Sequence, residues 1–543
     1  MNRLLPARLC AAAIFLVILI PVFPALPAGF LHAQGEDIVD DHGQRILLRG
    51  VSLGNWMVTE GYMWRFGEAG DRGRKIEKIV SDMIGPENAA KFWTEYRKSY
   101  VTRKDIRRIA ELGFNSIRVP LNARLFLSEG ANPVYQAEGF ALLDHLVSWC
   151  RKSGVYLIID MHAAPGGQTG QNIDDSIGDR LGLFDDPENQ DRLVALWVKI
   201  ASLYKDDPAV AAYDLLNEPL PERTGAELKY KNQLEPLYRR ITTAIRKVDQ
   251  KHMITIEGAN WATDWSVFTT RFDDNLVYQF HFYCWDKQTR LNDINQYLNA
   301  RRRLGAPLWA GETGERDDAI YWGTTDYFES RNIGWCFWPW KKMATGNTPY
   351  SVNLPDHWDV IAACMKKDPA EKPTREVAQA AFGELLKNIR LENCIYFPDV
   401  VNALFRQVPG RVEAENYGHE GMNRSFFVKL PGRNSDFYRT SEPVAVEPVE
   451  PSGQAIRLGS GEWTAYAINS LKKKTYALTV RAEAENAPAA FEISVNGRAQ
   501  QVSLNNQGWQ ELILRKVRLS AGGNSIKLTV NKGTVAFDWM EFR

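Results

Sequence analysis

Glu218 follows the apolar run Val210 to Leu216, and Glu312 ends the run Pro307 to Glu312. Two carboxyl groups held roughly 5–5.5 Å apart can divide the work of cleaving an acetal: one attacks the carbon, the other protonates the departing oxygen, and configuration is retained. Mutual repulsion keeps one of them protonated near neutral pH, and once its neighbour is esterified the acid can serve as a base. Other polar groups close neighbouring apolar runs: Arg118, His162, Asn217, His281 with Tyr283, and Trp338. Arg118 and Tyr283 suit holding Glu312 ionised and aimed, by charge and by hydrogen bond. Asn217 suits a hydroxyl beside the reacting carbon, His281 suits orienting or reprotonating Glu218, and Trp338 offers a flat apolar floor. The set is that of glycoside hydrolysis, with Glu218 as acid/base and Glu312 as nucleophile.

Such groups need a frame that brings distant segments together. Eight short β-rich runs recur between residues 45 and 340: Ile46 to Leu53, Ser116 to Pro120, Val155 to His162, Val210 to Leu216, Met253 to Gly258, Leu276 to Tyr283, Pro307 to Glu312 and Gly334 to Trp340. Between them lie amphipathic stretches such as Lys104 to Leu112, Phe140 to Lys152, Gln190 to Leu203 and Leu234 to Val248, with apolar residues three and four apart. Eight strands alternating with helices predict an α/β fold, a (β/α)8 TIM barrel whose site lies at the C-terminal ends of the strands. The rival, an open doubly wound sheet, would carry a Gly-rich phosphate turn after its first strand, and Ser52-Leu53-Gly54-Asn55 is not one.

Beyond Phe397 helical patterns give way to alternating segments, Tyr476 to Ala482, Ala490 to Val495, Gln510 to Val517 and Ser525 to Val530, punctuated by Asn496-Gly497 and Gly522-Gly523. They predict a C-terminal all-β sandwich of jelly-roll type. The expected domains are a signal peptide over 1–33, a barrel over 35–395, a linker over 396–409 and a sandwich over 410–543. The start supports export: Arg3 and Arg8 precede an apolar run from Leu9 to Ile20 that Pro21 interrupts, and small residues near Ala33 suit cleavage. A secreted protein, extracellular or periplasmic, follows, with no membrane association after cleavage. Lys plus Arg equals Asp plus Glu at 66 each, so no positive field exists to hold nucleic acid. Five Cys remain beyond Cys10, scattered and odd in number, and only Cys364 and Cys394 are candidates for pairing. Eight His with no His-x-His pair at the first strand give no support to a metal-dependent hydrolase; no catalytic cofactor is expected, and the chain is expected to be a monomer.

The ordered set Tyr213-Asp214-Leu215-Leu216-Asn217-Glu218-Pro219, His281-Phe282-Tyr283 and Gly311-Glu312, with Arg118, His162 and Trp338, resembles glycoside hydrolase family 5. That resemblance implies a TIM barrel and metal-free retaining hydrolysis of a β-linked glycan. Arg49 to Trp56, closed by Glu60, and His162 to Gln168 resemble the exo-β-1,3-glucanase branch, which implies that Glu60 and Asp174 or Asp175 bind hydroxyls in the first subsite and that β-1,3- or β-1,6-glucan is the substrate. Asn55 departs from the branch, which usually has Gly there, and the segment after Gly170 is longer. The tail, from Arg411-Val412-Glu413-Ala414-Glu415 to Phe537-Asp538-Trp539, resembles carbohydrate-binding modules of families 6 and 35, implying a structural calcium on Glu413, Glu415 and Asp538, whose hard oxygens suit that ion. Tyr438 and Trp463 are its candidate glycan platforms. A glycan-binding protein without turnover and a β-glucan transglycosylase remain as alternatives.

Overall fold

The computed structural model describes residues 29–221, 225–284, 291, 293–366, 372–429, 439–450 and 453–543. Eight parallel strands close a barrel: β1 (Arg49–Ser52), β2 (Ser116–Asn122), β3 (Tyr156–Ala163), β4 (Val210–Asp214), β5 (Met253–Glu257), β6 (Leu276–His281), β7 (Leu308–Gly314) and β8 (Gly334–Trp338). Each falls on one of the eight apolar runs. The runs are nearly unbroken because a parallel strand is buried on both faces, by helices outside and packed side chains within. β8 closes on β1, with Phe337 opposite Val51. The covering helices start where capping chemistry allows. Thr102 and Asp105 form a reciprocal capping box ahead of Arg103–Glu111, which buries Ile106 and Ile109 against the barrel.

Register decides which polar residues meet. Asp160 lies opposite Asp214, Glu257 opposite Gln279, and His281 opposite Glu312. Acidic side chains from adjacent strands therefore collect at one level near the C-terminal mouth.

The boundary expected at residue 33 lies inside the fold. His32–Gln34 pairs with Asp37–Val39 in a hairpin, and Leu31 is buried in a cluster with Ile38, Leu48, Met253 and Trp309. Residues 1–28 of the expected signal lie outside the described residues. Among the described residues no helix is long and apolar enough to cross a membrane.

The tail is an antiparallel sandwich of two sheets. Their inner faces, including Leu478, Val480, Phe491, Ile493, Ile526, Leu528, Phe537 and Met540, form one core. Asn496 and Gly497 both have positive φ, 49° and 77°, as the two-residue hairpin joining Ala489–Val495 to Arg498–Leu504 requires. The expected linker over 396–409 is not an open tether. Pro398–Leu404 is a helix that buries Val400, Val401 and Leu404 in the barrel's core cluster, and Gln407–Val408 then pairs with Trp463–Ser470 of the sandwich. Apolar residues three and four apart had no room to show a pattern in so short a helix. In return Trp322, from the barrel helix Asp318–Glu329, is buried in the sandwich core. Glu329 ties the junction further, accepting from Arg49 on β1 (2.7 and 2.9 Å) and from Arg406 in the connector (2.6 Å). No disulfide joins Cys364 to Cys394; Cys284 and Cys336 are buried as expected.

Candidate active site

At the C-terminal mouth of the barrel lies a cleft of about 520 Å³ lined by Glu60, Tyr62, His162, Glu218, His281, Tyr283, Glu312 and Trp338, among others. Glu312 stands on β7, and Glu218 on the turn that leaves β4. One carboxylate oxygen of each, together with a ring nitrogen of His281, lies within 4.8 Å of the others.

The two carboxylates are held differently. Both oxygens of Glu312 accept hydrogen bonds, Oε1 from Arg118 Nη1 (2.5 Å) and Oε2 from the Tyr283 hydroxyl (2.7 Å). Glu218 Oε1 lies 2.6 Å from His281 Nδ1. A carboxylate fixed by two donors is aimed as a nucleophile; one coupled to an imidazole is placed to exchange a proton. Burial raises the Glu312 carboxyl above its usual range, His281 and Arg118 pull it back, and Glu218 adds to the rise.

Beneath this pair lies a buried polar layer. Arg118 has no exposed surface and reaches Asp214 (2.9 Å), Asp160 (3.2 Å), Glu257 (3.3 Å) and Glu312. Burial opposes its charge, but Asp160, Asp214, Glu312 and Glu257 together hold its pKa well above the free value. For His281 burial likewise opposes protonation, and Glu257, Glu312 and Glu218 overcome it, so the imidazole titrates well above its usual range. His162 is the opposite case. Burial lowers it to about 4 and raises its partner Asp160, 2.7 Å away, to about 8, so near neutral pH its ring is uncharged. That ring stacks on Trp338, centroids 5.4 Å apart and planes within 4°, and Trp338 Nε1 donates to the Tyr62 hydroxyl (2.8 Å).

Not every expected residue reaches the cleft. Asn217 is fully buried behind it, its Oδ1 accepting from Arg118 Nη2 (2.7 Å). Asp174 and Asp175 turn away altogether. Asp174 accepts the backbone N–H groups of Thr169, Gly170 and Ser176, while Asp175 accepts from the Arg74 N–H, Asn122 Nδ2 and Arg124 Nε. Their neighbours Asn172 and Ile173 face the cleft instead. The loop is held shut by its own acidic side chains, because a buried backbone N–H without a partner is costly. Glu60 does line the cleft: it is 2% exposed and its Oε1 has no hydrogen-bond partner. Burial first, then Glu312, Glu315 and Glu218, push its carboxyl well above the usual range.

Asp160, Asp214, Glu257 and Gln279 were missed as site residues. Asp160 and Gln279 sit within strands, while Asp214 and Glu257 end β4 and β5 but fall short of the ends of the apolar runs, at Leu216 and Gly258. The available signal was a charged or amide side chain interrupting an apolar run, as in Met253-Ile254-Thr255-Ile256-Glu257-Gly258. Glu315, which accepts from Lys342 Nζ at 2.7 Å, and Trp261 complete the rim.

In the sandwich, Glu413 pairs with Arg411 (2.8 Å) and Asp538 with Arg481, while Glu415 Oε2 and Asp538 Oδ1 are buried without partners. Trp463 is half-buried, with Lys527 Nζ 3.8 Å from its ring centroid; Tyr438 lies outside the described residues.

Residues 80–344 match the family model of cellulase, glycosyl hydrolase family 5. A β-xylosidase of Phanerodontia chrysosporium is 32% identical over 256 residues, 47% of this chain and 52% of its own, so the chain spans about half the length of that relative. A probable glucan 1,3-beta-glucosidase A of Emericella nidulans is 25% identical over 357 residues, covering 54% of this chain and 85% of its own. Among solved structures, an endogalactoceramidase aligns over 92% of this chain and 99% of its own, at 18% identity and a TM-score of 0.46.

Proposed function

We propose that this chain is an exported retaining β-glycosidase that hydrolyses β-linked glucan, with β-1,3- or β-1,6-glucan preferred. The observation that carries the reading is the approach of Glu218 and Glu312 to within 4.8 Å across the barrel mouth. An inverting pair needs roughly 6.5–9.5 Å to seat a water between the carboxyls. In the first step Glu312 attacks the anomeric carbon, the bond to the leaving oxygen breaks, and Glu218 gives that oxygen its proton. In the second, Glu218 takes a proton from water, whose oxygen displaces Glu312. Arg118 and Tyr283 hold the nucleophile through both steps, and stacking on Trp338 positions the sugar ring. The linkage preference draws on Glu60, an unpaired buried carboxyl suited to a sugar hydroxyl, and on relatives named for β-1,3- and β-1,6-glucan. Product analysis on a panel of β-1,3-, β-1,4- and β-1,6-glucans and mannans tests it: faster release of cellobiose from cellulose than of glucose from laminarin or pustulan counts directly against the preference.

For the tail we propose a glycan-binding module steadied by calcium. Unpartnered buried oxygens on Glu415 and Asp538 support the ion, and a divalent cation there would offset the mutual repulsion that adds to burial in raising Glu413 to about 7. Arg411 and Arg481 would have to release their carboxylates in part.

A further inference from the structure

Glu257 closes β5, has no exposed surface, and belongs to neither the cleft lining nor the pair that reacts. Yet its two oxygens reach both parts of the acid/base device. Oε2 accepts the backbone N–H of Glu218 at 2.7 Å. Oε1 lies 3.3 Å from His281 Nε2, on the far side of the ring whose Nδ1 meets Glu218 at 2.6 Å. The backbone it grips is strained. Glu218 has φ 41° and Leu220 φ 57°, a left-handed conformation that costs side-chain-bearing residues on the order of 1–3 kcal/mol and persists only where neighbours over-determine it. Gln168 grips the same peptide unit from its carbonyl side, donating to the Asn217 oxygen (3.0 Å), and its own backbone carbonyl accepts the Leu220 N–H (3.3 Å) farther along the turn.

We propose that Glu257 is a positioning residue: it holds the strained Glu218 turn by the peptide N–H and keeps a proton on both nitrogens of His281, so that Glu218 is aimed and recharged from one fixed imidazolium. A ring with a carboxylate at each nitrogen has no lone pair left to offer, so its charged form is the one the geometry satisfies. The groups that face Glu257 are Arg118 from β2, Asp214 from β4, and Gln279 and His281 from β6, with Asp160 behind Arg118; the Tyr238 hydroxyl donates to the Glu257 carbonyl (2.9 Å). Arg118 is shared with three other carboxylates; His281 meets Glu218 and, at 3.5 Å, Glu312 with Nδ1, and Glu257 is the carboxylate that faces its Nε2.

This inference rests on the reading of Glu218 as acid/base, and its test has a readout independent of turnover. With 15N-labelled histidine, NMR of the full chain reports the protonation of His281, assigned through His281→Asn. In the wild type both ring nitrogens should carry protons at pH 7. In Glu257→Gln the His281 titration should fall by about one pH unit, and kcat/KM for an alkyl β-glycoside should drop about tenfold further than for a dinitrophenyl β-glycoside, which needs no protonation of its leaving group. Glu257→Asp, with its charge kept but its reach shortened, should preserve the titration yet still lose on the alkyl substrate. A neutral His281 in the wild type at pH 7 overturns the proposal without need of any variant. Equal loss on both substrates, with the titration unmoved, overturns it as well. Inactivity of the wild type on every β-glycoside removes the glycosidase reading instead, while the NMR titration still decides the Glu257 contact.

Discussion

Arg118 Nη1 and Glu312 Oε1 meet at 2.5 Å across 194 positions of the chain. The guanidinium is wholly buried and is itself held by Asp214 and Asn217, so the carboxylate it grips has little freedom to turn. Removing the guanidinium would leave the carboxylates it holds buried and uncompensated, at a cost of about 3–5 kcal/mol. The role of this contact is therefore to fix the pose of Glu312 as much as its charge.

Glu312→Gln should abolish turnover, with kcat reduced by at least about 10³, because amide nitrogen cannot form the glycosyl ester. Glu218→Ala should lose about 10²–10⁴ on substrates with poor leaving groups, and added azide should restore turnover while giving the β-glycosyl azide. NMR of the first-formed anomer checks the stereochemistry: an α product from a β-glycoside would contradict the 4.8 Å approach of the two carboxylates.

Tyr283→Phe removes a hydroxyl 2.7 Å from Glu312 Oε2 and keeps the ring. A hydrogen bond to a charged group is worth about 1.5–3 kcal/mol, so kcat/KM should fall on the order of 10- to 100-fold with little change in melting temperature. An undiminished rate would mean that this hydroxyl does not orient Glu312, leaving Arg118 and the nearby His281 to do so.

Glu60 and Asp174 should separate cleanly. Glu60→Ala should leave the fold in place and raise KM, since Glu60 lines the cleft and its buried Oε1 has no hydrogen-bond partner to lose. Asp174→Ala strands the three backbone N–H groups its carboxylate now accepts, each costing about 1–3 kcal/mol. Thermal unfolding should then begin several degrees lower. A larger effect of Asp174→Ala on KM than on stability would restore it to the subsite.

Glu329 should govern acid stability at the junction of barrel and sandwich. Burial would raise its carboxyl, but Arg49 and Arg406 bring it down to about 2. A depressed carboxyl contributes stability above its unfolded value, near 4.5, and loses it as pH falls toward 2; the difference is about 3 kcal/mol. Wild-type denaturant midpoints should drop across that window, and Glu329→Gln should flatten the dependence.

Glu413 has the opposite sign. Raised to about 7, chiefly by burial and then by Asp538 against the pull of Arg411, it contributes stability below about 4.5 that is lost as pH rises through 7, again about 3 kcal/mol. Without calcium the sandwich should therefore weaken from pH 5 to 8. Millimolar calcium should reverse the trend in the wild type but not in Glu415→Gln; the absence of any calcium effect on unfolding at pH 8 would remove the ion from the account.

The sequence by itself determined the frame. Eight apolar runs spaced by amphipathic helices can bury both faces of each strand in only a few ways, and a polar residue closing such a run has nowhere to go but the mouth. Glu218, Glu312, His281, Tyr283 and Trp338 were legible for that reason. Position along a loop carries no such constraint, and Asp174 and Asp175 turned inward because nearby backbone N–H groups and arginines claimed their carboxylates. Residues 398–404 were too short to show a helical period, so only packing revealed that the connector joins two cores. Tertiary structure alone decided the layer of Asp160, Asp214 and Glu257 around Arg118: strand register and barrel closure set those neighbours, and a linear chain does not display the register.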